Sequence, residues 1–379
     1  MDKGCPIYVL RETSNVEDRS DWAPFGAGGA WRRRQIDGIL RRHGVEPVNL
    51  KRPPPTSLLR KAIDAGHSLV RLPGKIALSR RALASAAHTR ALYRHNTRRE
   101  GLASVAILEW GTDPIAILTL KQAGFRVVMT LMAIGSLWRE RPSVVAGPYP
   151  RMYITEVESL RLADAVFCIS REEQWLLSNL GIGAHYLPYF PDRDRELSLL
   201  AEREARQIDR FKKAEFLICA TRGNTDTVES FREQVSLIIG AYPEASPTFH
   251  VTGNQTEALR EVWSDPRFVF HGTCSDETFV EIKRRCGAIC LHQQKGLGAV
   301  TRVPDMLLSG LRIIANGMAA RSFIGMTGVH VYDGPGQFRD LLERDLPTPP
   351  PPQRAIELED AFFASLSLPP CGTKALDAA

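Results

Sequence analysis

Short apolar runs alternate along this chain with longer segments whose apolar positions recur every three or four residues. "PIYVL" (6–10), "SVAILEW" (104–110), "RVVMTLM" (126–132) and "AVFCIS" (165–170) are near-continuous hydrophobic runs of strand length. Parallel strands covered on both faces read this way. Helical patterns fall between them: 28–44, closed by Gly44, then the strand "VEPVNL", then a helix near "DPIAILTLKQAG", and helices 151–163 and 171–180 before a short strand at "AHYLP". This alternation predicts a parallel sheet with helices on both faces.

"LPYFPDRDRE" (187–196) is proline-rich and polar and reads as a linker. The pattern then restarts with strands "EFLICAT" (215–221), "TFHVTG" (248–253), "RFVFHG" (267–272), "GAICLHQ" (287–293), "RIIAN" (312–316) and "VHVYD" (329–333), with helices between them, one over 227–240. "LPTPPPP" (346–352) interrupts the chain before a last helix near 354–366. The predicted organisation is α/β: a Rossmann-like domain over 1–190, a second over 191–350, and a helix and tail over 351–379 that packs back on the first domain. Open α/β sheets bind ligands beyond the carboxyl ends of their strands. Two such domains on a linker would face each other across a cleft.

Composition fits this picture. The chain has 379 residues, 44% hydrophobic and 24% charged, enough for two ordinary domains. The longest apolar stretch, "VVMTLMAIGSLW", falls short of the roughly 18–20 residues of a membrane helix. The opening "MDKGCPIYVLRET" has no charged region followed by an apolar core, so a cytoplasmic location is expected. Seven scattered cysteines, with only Cys286 and Cys290 close together, give no metal-ligand spacing and suit a reducing compartment.

Net charge is +6 and uneven. Residues 51–99 hold twelve Lys and Arg against one acid, Asp64, so the rest of the chain is slightly acidic. Apolar positions interleave with these cations, from Leu58 to Leu92. A solvated helix face accounts for the pattern, and so does a basic amphipathic surface for anionic lipid, peripheral to the inner face of a membrane. No recognition motif points to nucleic acid.

The densest chemistry lies in "KGLGAVTRVPDMLLSGLRIIANG" (295–317): a glycine-bearing loop, a short helix, a strand. Arg302 and Asp305 open the helix. A guanidinium grips phosphate at two points, and a carboxylate accepts from vicinal hydroxyls. Gly296 and Gly298 let the loop approach a ligand closely, with Thr301 at its end. A first-turn Asp also simply suits the helix dipole.

The order of these features resembles the GT-B glycosyltransferases, in particular the large retaining family that uses nucleotide-sugars. "FGAGGAWRRRQIDGILRRHGVEPVNL" is similar to that family's opening glycine-helix-strand pattern. "LADAVFCISREEQWLLSNLGIGAHYLP" resembles a further segment. "RFVFHGTCSD" through "VTRVPDMLLSGLRIIAN" resembles its donor-binding core.

The resemblance, over about residues 5–335, implies roles. Arg302 stands where the family has a phosphate-binding Lys, and Asp305 where it has a Glu for the ribose hydroxyls. Leu297 occupies the position of a loop acid, so the usual pair of acids is absent. Arg222, after the strand "EFLICAT", would face the leaving phosphate, with Asn224 and Thr225 as further donors, although capping the next helix also explains Thr225. Gly28 and Gly29 would abut the diphosphate. Arg32, Arg33 and Arg34 follow, most of them meeting solvent. Met132 stands where many members have a His; Thr130 and Ser136 are the nearest polar groups. His271, beside Gly272, and His292 end strands near the donor, and each also reads as a core or cap histidine. Glu109 and Asp113 are weaker acceptor candidates.

The implied activity is transfer of a sugar from a nucleotide-sugar to a glycan, lipid-linked sugar or small molecule, with retention. No cofactor and no metal are expected. A non-catalytic binding subunit and a nucleotide-sugar epimerase are the rivals on this fold.

Overall fold

The computed structural model describes residues 7–10, 28–49, 105–108, 114–122, 124–135, 149–208, 214–220, 225–244 and 247–366. Two compact units divide the chain. The first is built on residues 36–188 and the helix that follows Ala355; the second on 189–354, joined by the first turns of a helix through Gln35.

The first unit holds a six-stranded parallel sheet. Its strands are β1 (Ile7–Leu10), β2 (Val48–Asn49), β3 (Val105–Leu108), β4 (Arg126–Leu131), β5 (Ala165–Cys168) and β6 (Ala184–Tyr186), in the order β2-β1-β3-β4-β5-β6. Side-chain parity sorts the strands' apolar residues onto two faces. Ala106, Leu108, Val127, Met129 and Val166 pack with Ile117 and Leu120 of helix α2 (Pro114–Gln122), Val157 and Leu160 of α3 (Tyr149–Leu162) and Leu177 of α4 (Arg171–Asn179). Val105, Ile107, Val128 and Phe167 pack on the other face with Ile36, Ile39 and Leu40 of α1 (Gly28–Arg42) and with Phe362. Phe362 belongs to the last helix, Ile356–Ser365, which is also tied down by Arg42 to Glu359 at 2.8 Å and by Arg126 to the Ser365 carbonyl at 2.8 Å.

The second unit repeats the plan. Its strands are β7 (Glu215–Cys219), β8 (Thr248–Thr252), β9 (Phe268–Gly272), β10 (Ala288–Leu291), β11 (Arg312–Asn316) and β12 (Val329–Tyr332). They run parallel in the order β12-β11-β10-β7-β8-β9. Renumbered within the domain this is the doubly wound order 3-2-1-4-5-6, and strand order reverses between β7 and β10. Phe216, Ile218, Phe249 and Val251 pack under Phe231, Val235 and Ile238 of α6 (Thr225–Ala241). Leu217, Ile289 and Ile313 pack on the opposite face, against α7 (Asp276–Arg285) and α8 (Arg302–Leu308).

The segment read as a linker is docked. Tyr189 and Phe190 are buried, and Asp192 caps helix α5 (Arg193–Ile208), accepting from the Arg195 amide at 3.1 Å. Helix α5 lies along α8, with Leu199 against Leu308. Its arginines close two helix ends: Arg203 donates to the Leu307 carbonyl at 2.9 Å, and Arg206 to the Lys283 and Cys286 carbonyls. The last carbonyls of a helix lack intrahelical partners and carry partial negative charge, so guanidinium groups suit them. Helix α8 itself tolerates Pro304 because first-turn amides need no partner. It ends in a Schellman motif, with Leu311 N donating to the Met306 carbonyl at 2.9 Å and Gly310 N to Leu307 at 3.1 Å. Gly310 takes φ +83° there, a conformation that costs other residues dearly.

Candidate functional site

In an open α/β sheet the crevice outside the carboxyl ends, where strand order reverses, is the place for a ligand. In the second unit this is the rim above β7 and β10. Strand β7 ends at Cys219, and α6 starts at Thr225. Strand β10 ends at Leu291, and the chain then runs through a loop, 293–301, into Arg302. The half-buried Arg302 guanidinium reaches back over the end of β7 and donates to the Cys219 carbonyl at 3.2 Å. Among the described residues that is its only hydrogen bond, and it has no ion pair. Most of its five donors are therefore available to an anion.

The loop is held from three sides. Asn316, at the end of β11, pairs with the Gln293 backbone like a peptide: its amide donates to Gln293 O at 2.7 Å and its carbonyl accepts from Gln293 N at 3.1 Å. Ser230 of α6 accepts from the Gln294 amide at 3.1 Å. Arg321 donates to the Gln293 side chain at 3.1 Å, the Met318 carbonyl at 2.6 Å and the Gly298 carbonyl at 2.7 Å. Beside the loop, His292 bridges Tyr332 at 2.8 Å and Glu233 at 3.0 Å.

Asp305 is placed differently. Its carboxylate has no exposed surface. One oxygen accepts from the Tyr189 hydroxyl at 3.1 Å, and the other takes Arg195 at 2.7 Å. The Arg195 guanidinium lies 4.4 Å from the centre of the Trp31 ring, which stacks on Tyr189. Burial pushes the Asp305 pKa up, against the pull of Arg195 and Tyr189. Nearby, the buried Lys283 pairs with Glu202.

A polar ladder crosses the same unit: Arg285 to Glu215 at 3.0 Å, Glu215 to His250 at 2.9 Å, and His250 to His271 at 2.9 Å.

No protein-family model matches the chain, and no curated protein matches it. Solved structures do. The α,α-trehalose 6-phosphate synthase of Burkholderia multivorans aligns with TM-score 0.58 at 12% identity, over 96% of this chain and 98% of that one. Anabaena Alr3699/HepE, solved with UDP and glucose, aligns with TM-score 0.55 at 10% identity, over 89% of each. The UDP-GlcNAc 2-epimerase of Methanocaldococcus jannaschii aligns with TM-score 0.50 at 9% identity, over 95% and 98%. The protein has a GT-B-like fold. Glycosyltransferases and UDP-GlcNAc 2-epimerases share it.

Among the GT-B residues read from sequence, the structure brings together Arg302, Thr301, Gly296 and Gly298 on the rim of the second sheet. Thr225 opens α6 and Gly28 and Gly29 open α1. Arg222, Asn224, Glu109, Asp113, Ser136 and residues 51–99 lie outside the described residues. One GT-B assignment changes. Asp305 cannot offer its carboxylate to a ribose, because Arg195 and Tyr189 occupy both oxygens and no surface is left. His271 belongs to the ladder with His250, and its neighbour Gly272 ends β9. Arg32 is buried and bonded to Gln35 at 2.6 Å, whereas Arg34 is exposed.

Sequence reading passed over Arg321, Asn316, Arg195 and Tyr189. Asn316 carried one signal, its position as the last residue of a strand whose neighbour leads into the glycine loop. The others are joined to their partners only by the tertiary fold.

Proposed function

We propose that this chain is a glycosyltransferase that moves a sugar from a nucleoside-diphosphate sugar to a hydroxyl acceptor, with retention. One observation carries the reading: Arg302 stands at the strand-order reversal of a doubly wound sheet with most of its donors unspent. A diphosphate is the ligand that suits a spare guanidinium over the end of β7, the strand that precedes the 17-residue helix α6 in the chain. The UDP and glucose held by Anabaena Alr3699/HepE, a structure of the same fold, support this ligand class.

In the proposed step the bond between the sugar's anomeric carbon and the diphosphate oxygen breaks, its electron pair leaving with the diphosphate. The acceptor hydroxyl oxygen bonds that carbon on the same face. Its proton passes to an oxygen of the departing phosphate, so no protein carboxylate serves as base. Arg302 and Arg222 stabilise the charge that gathers on the leaving group. Gly28, Gly29, Asn224, Thr225, His271, Gly272, Gly296, Gly298 and Thr301 are the remaining donor contacts of the proposal. Guanidinium counter-charge replaces a divalent ion, so turnover should persist in excess chelator; activity abolished by EDTA and restored by magnesium would count against this. The acceptor is a glycan, a lipid-linked sugar or a small molecule. The cationic stretch 51–99 supports contact with an anionic membrane surface.

The test is a transfer assay with UDP-, GDP- and ADP-sugars and mixed hydroxyl acceptors, with the product anomer read by NMR. A retained anomer supports the proposal; an inverted product, or binding without turnover, contradicts it. Likeness to the 2-epimerase favours a second reading, epimerisation of the nucleotide-sugar itself. A changed sugar still attached to nucleotide, with no acceptor present, would establish it.

A further inference from the structure

We infer that Arg321 is a positioning residue that holds the loop 293–301 in its binding shape before a donor arrives. The inference rests on the site proposed above and adds a residue to it that does not touch the reaction. The Arg321 guanidinium spans the loop, from the Gln293 side chain to the Gly298 carbonyl, and is itself fixed through the Met318 carbonyl. Gly296 makes this possible. A Cβ built there would sit 2.7 Å from Arg321 Nη1 and 2.7 Å from Gln293 Oε1, closer than such atoms ever approach. A larger residue here would push the ends of the Arg321 and Gln293 side chains aside.

Asn316 fixes the start of the loop by its paired bonds to Gln293. The end of the loop is fixed where Val303 N donates to the Val300 carbonyl at 3.0 Å. Arg321 closes the span between these two anchors. Ordering a loop on ligand binding weakens affinity, and a loop already ordered in the free protein avoids that loss. The structure thus assigns the cost of shaping this loop to folding.

The test uses the full chain with Arg321→Ala, Arg321→Lys and Gly296→Ala. Amide exchange of residues 294–300 in ligand-free protein should quicken about tenfold or more in Arg321→Ala and Gly296→Ala, while strand amides at 217–219 keep their protection. Titration with UDP, GDP and ADP should show affinity weakened about tenfold. Donor KM should rise with kcat little changed, because the strap acts on binding and not on the transition state. Arg321→Lys, which keeps one donor point, should recover part of each effect. If Arg321→Ala does not fold, Arg321→Lys carries the affinity and KM readings, and Gly296→Ala, itself at a proposed donor contact, is read by ligand-free amide exchange alone. Unchanged exchange and unchanged affinity in these variants overturn the inference. A native chain that binds no nucleotide overturns the transferase reading instead, and the exchange result then decides the strap by itself.

Discussion

Arg302 and Asp305 belong to one short helix and stand three residues apart, a spacing at which opposite charges can pair. They do not pair. Asp305 turns to α5, where Arg195 and Tyr189 take both its oxygens in a site closed to water. Arg302 turns to the rim, where it meets a single carbonyl and keeps a half-exposed surface. Sequence gives the two residues equal standing as ligand contacts. Structure divides them: a charge fully matched inside the domain holds the fold, and a charge left unmatched at a strand-order reversal is available for chemistry.

The division is broken most severely at Asp305. Asp305→Ala leaves the partly buried Arg195 without its carboxylate partner, a loss of about 3–5 kcal/mol by the usual cost of splitting a buried pair. Denaturant unfolding should show the loss. Nucleotide affinity per folded molecule should change little, and a selective loss of binding at full stability would return Asp305 to the ligand site. Arg302→Ala should do the reverse. Turnover should fall by about 10²–10³, the range for removing one donor aimed at developing charge, with the unfolding midpoint unmoved. Tyr189→Phe removes one neutral hydrogen bond to Asp305 and should cost about 1 kcal/mol of stability.

A smaller effect sharpens the comparison through pH. Burial, reinforced by Arg285, holds His250 below the ordinary histidine pKa although Glu215 opposes it. Burial, then His250, Arg285 and Arg260, does the same to His271, and burial with Arg312 and Arg344 to His330. Burial opposes ionisation of Glu215, but bonds from His250 and Arg285 outweigh it and hold that carboxyl low as well. Groups whose folded pKa is depressed bind protons first in the unfolded chain. Their stabilisation is complete above the unfolded values and fades as pH falls through the folded ones. Stability should therefore decline as pH drops below about 6.5, and more gently in His271→Gln. A flat profile from pH 7 to 5 would contradict the ladder's assigned charge state.

Much of the fold is legible in the chain because buried parallel strands are written as short apolar runs. "AVFC" and "RIIAN" give β5 and β11 directly. Helix α5 is not legible. "PDRDRE" is polar enough for a linker, and its meaning depends on Asp192 capping a helix whose arginines then close the ends of α7 and α8. At the site, Arg302 is legible because the loop, helix and strand around it are contiguous. The fate of Asp305 is not, since Arg195 stands 110 residues earlier in sequence. The strap from Arg321 to Gly298 is hidden for the same reason, its two ends lying on segments that follow different strands.

Titration calorimetry of the native chain and Arg302→Ala with UDP, GDP and ADP tests the central claim most directly. The account predicts that at least one of these diphosphates binds the native chain and binds Arg302→Ala at least about tenfold more weakly, at equal thermal stability. Equal affinity in the two proteins, or no binding to the native chain, would contradict it.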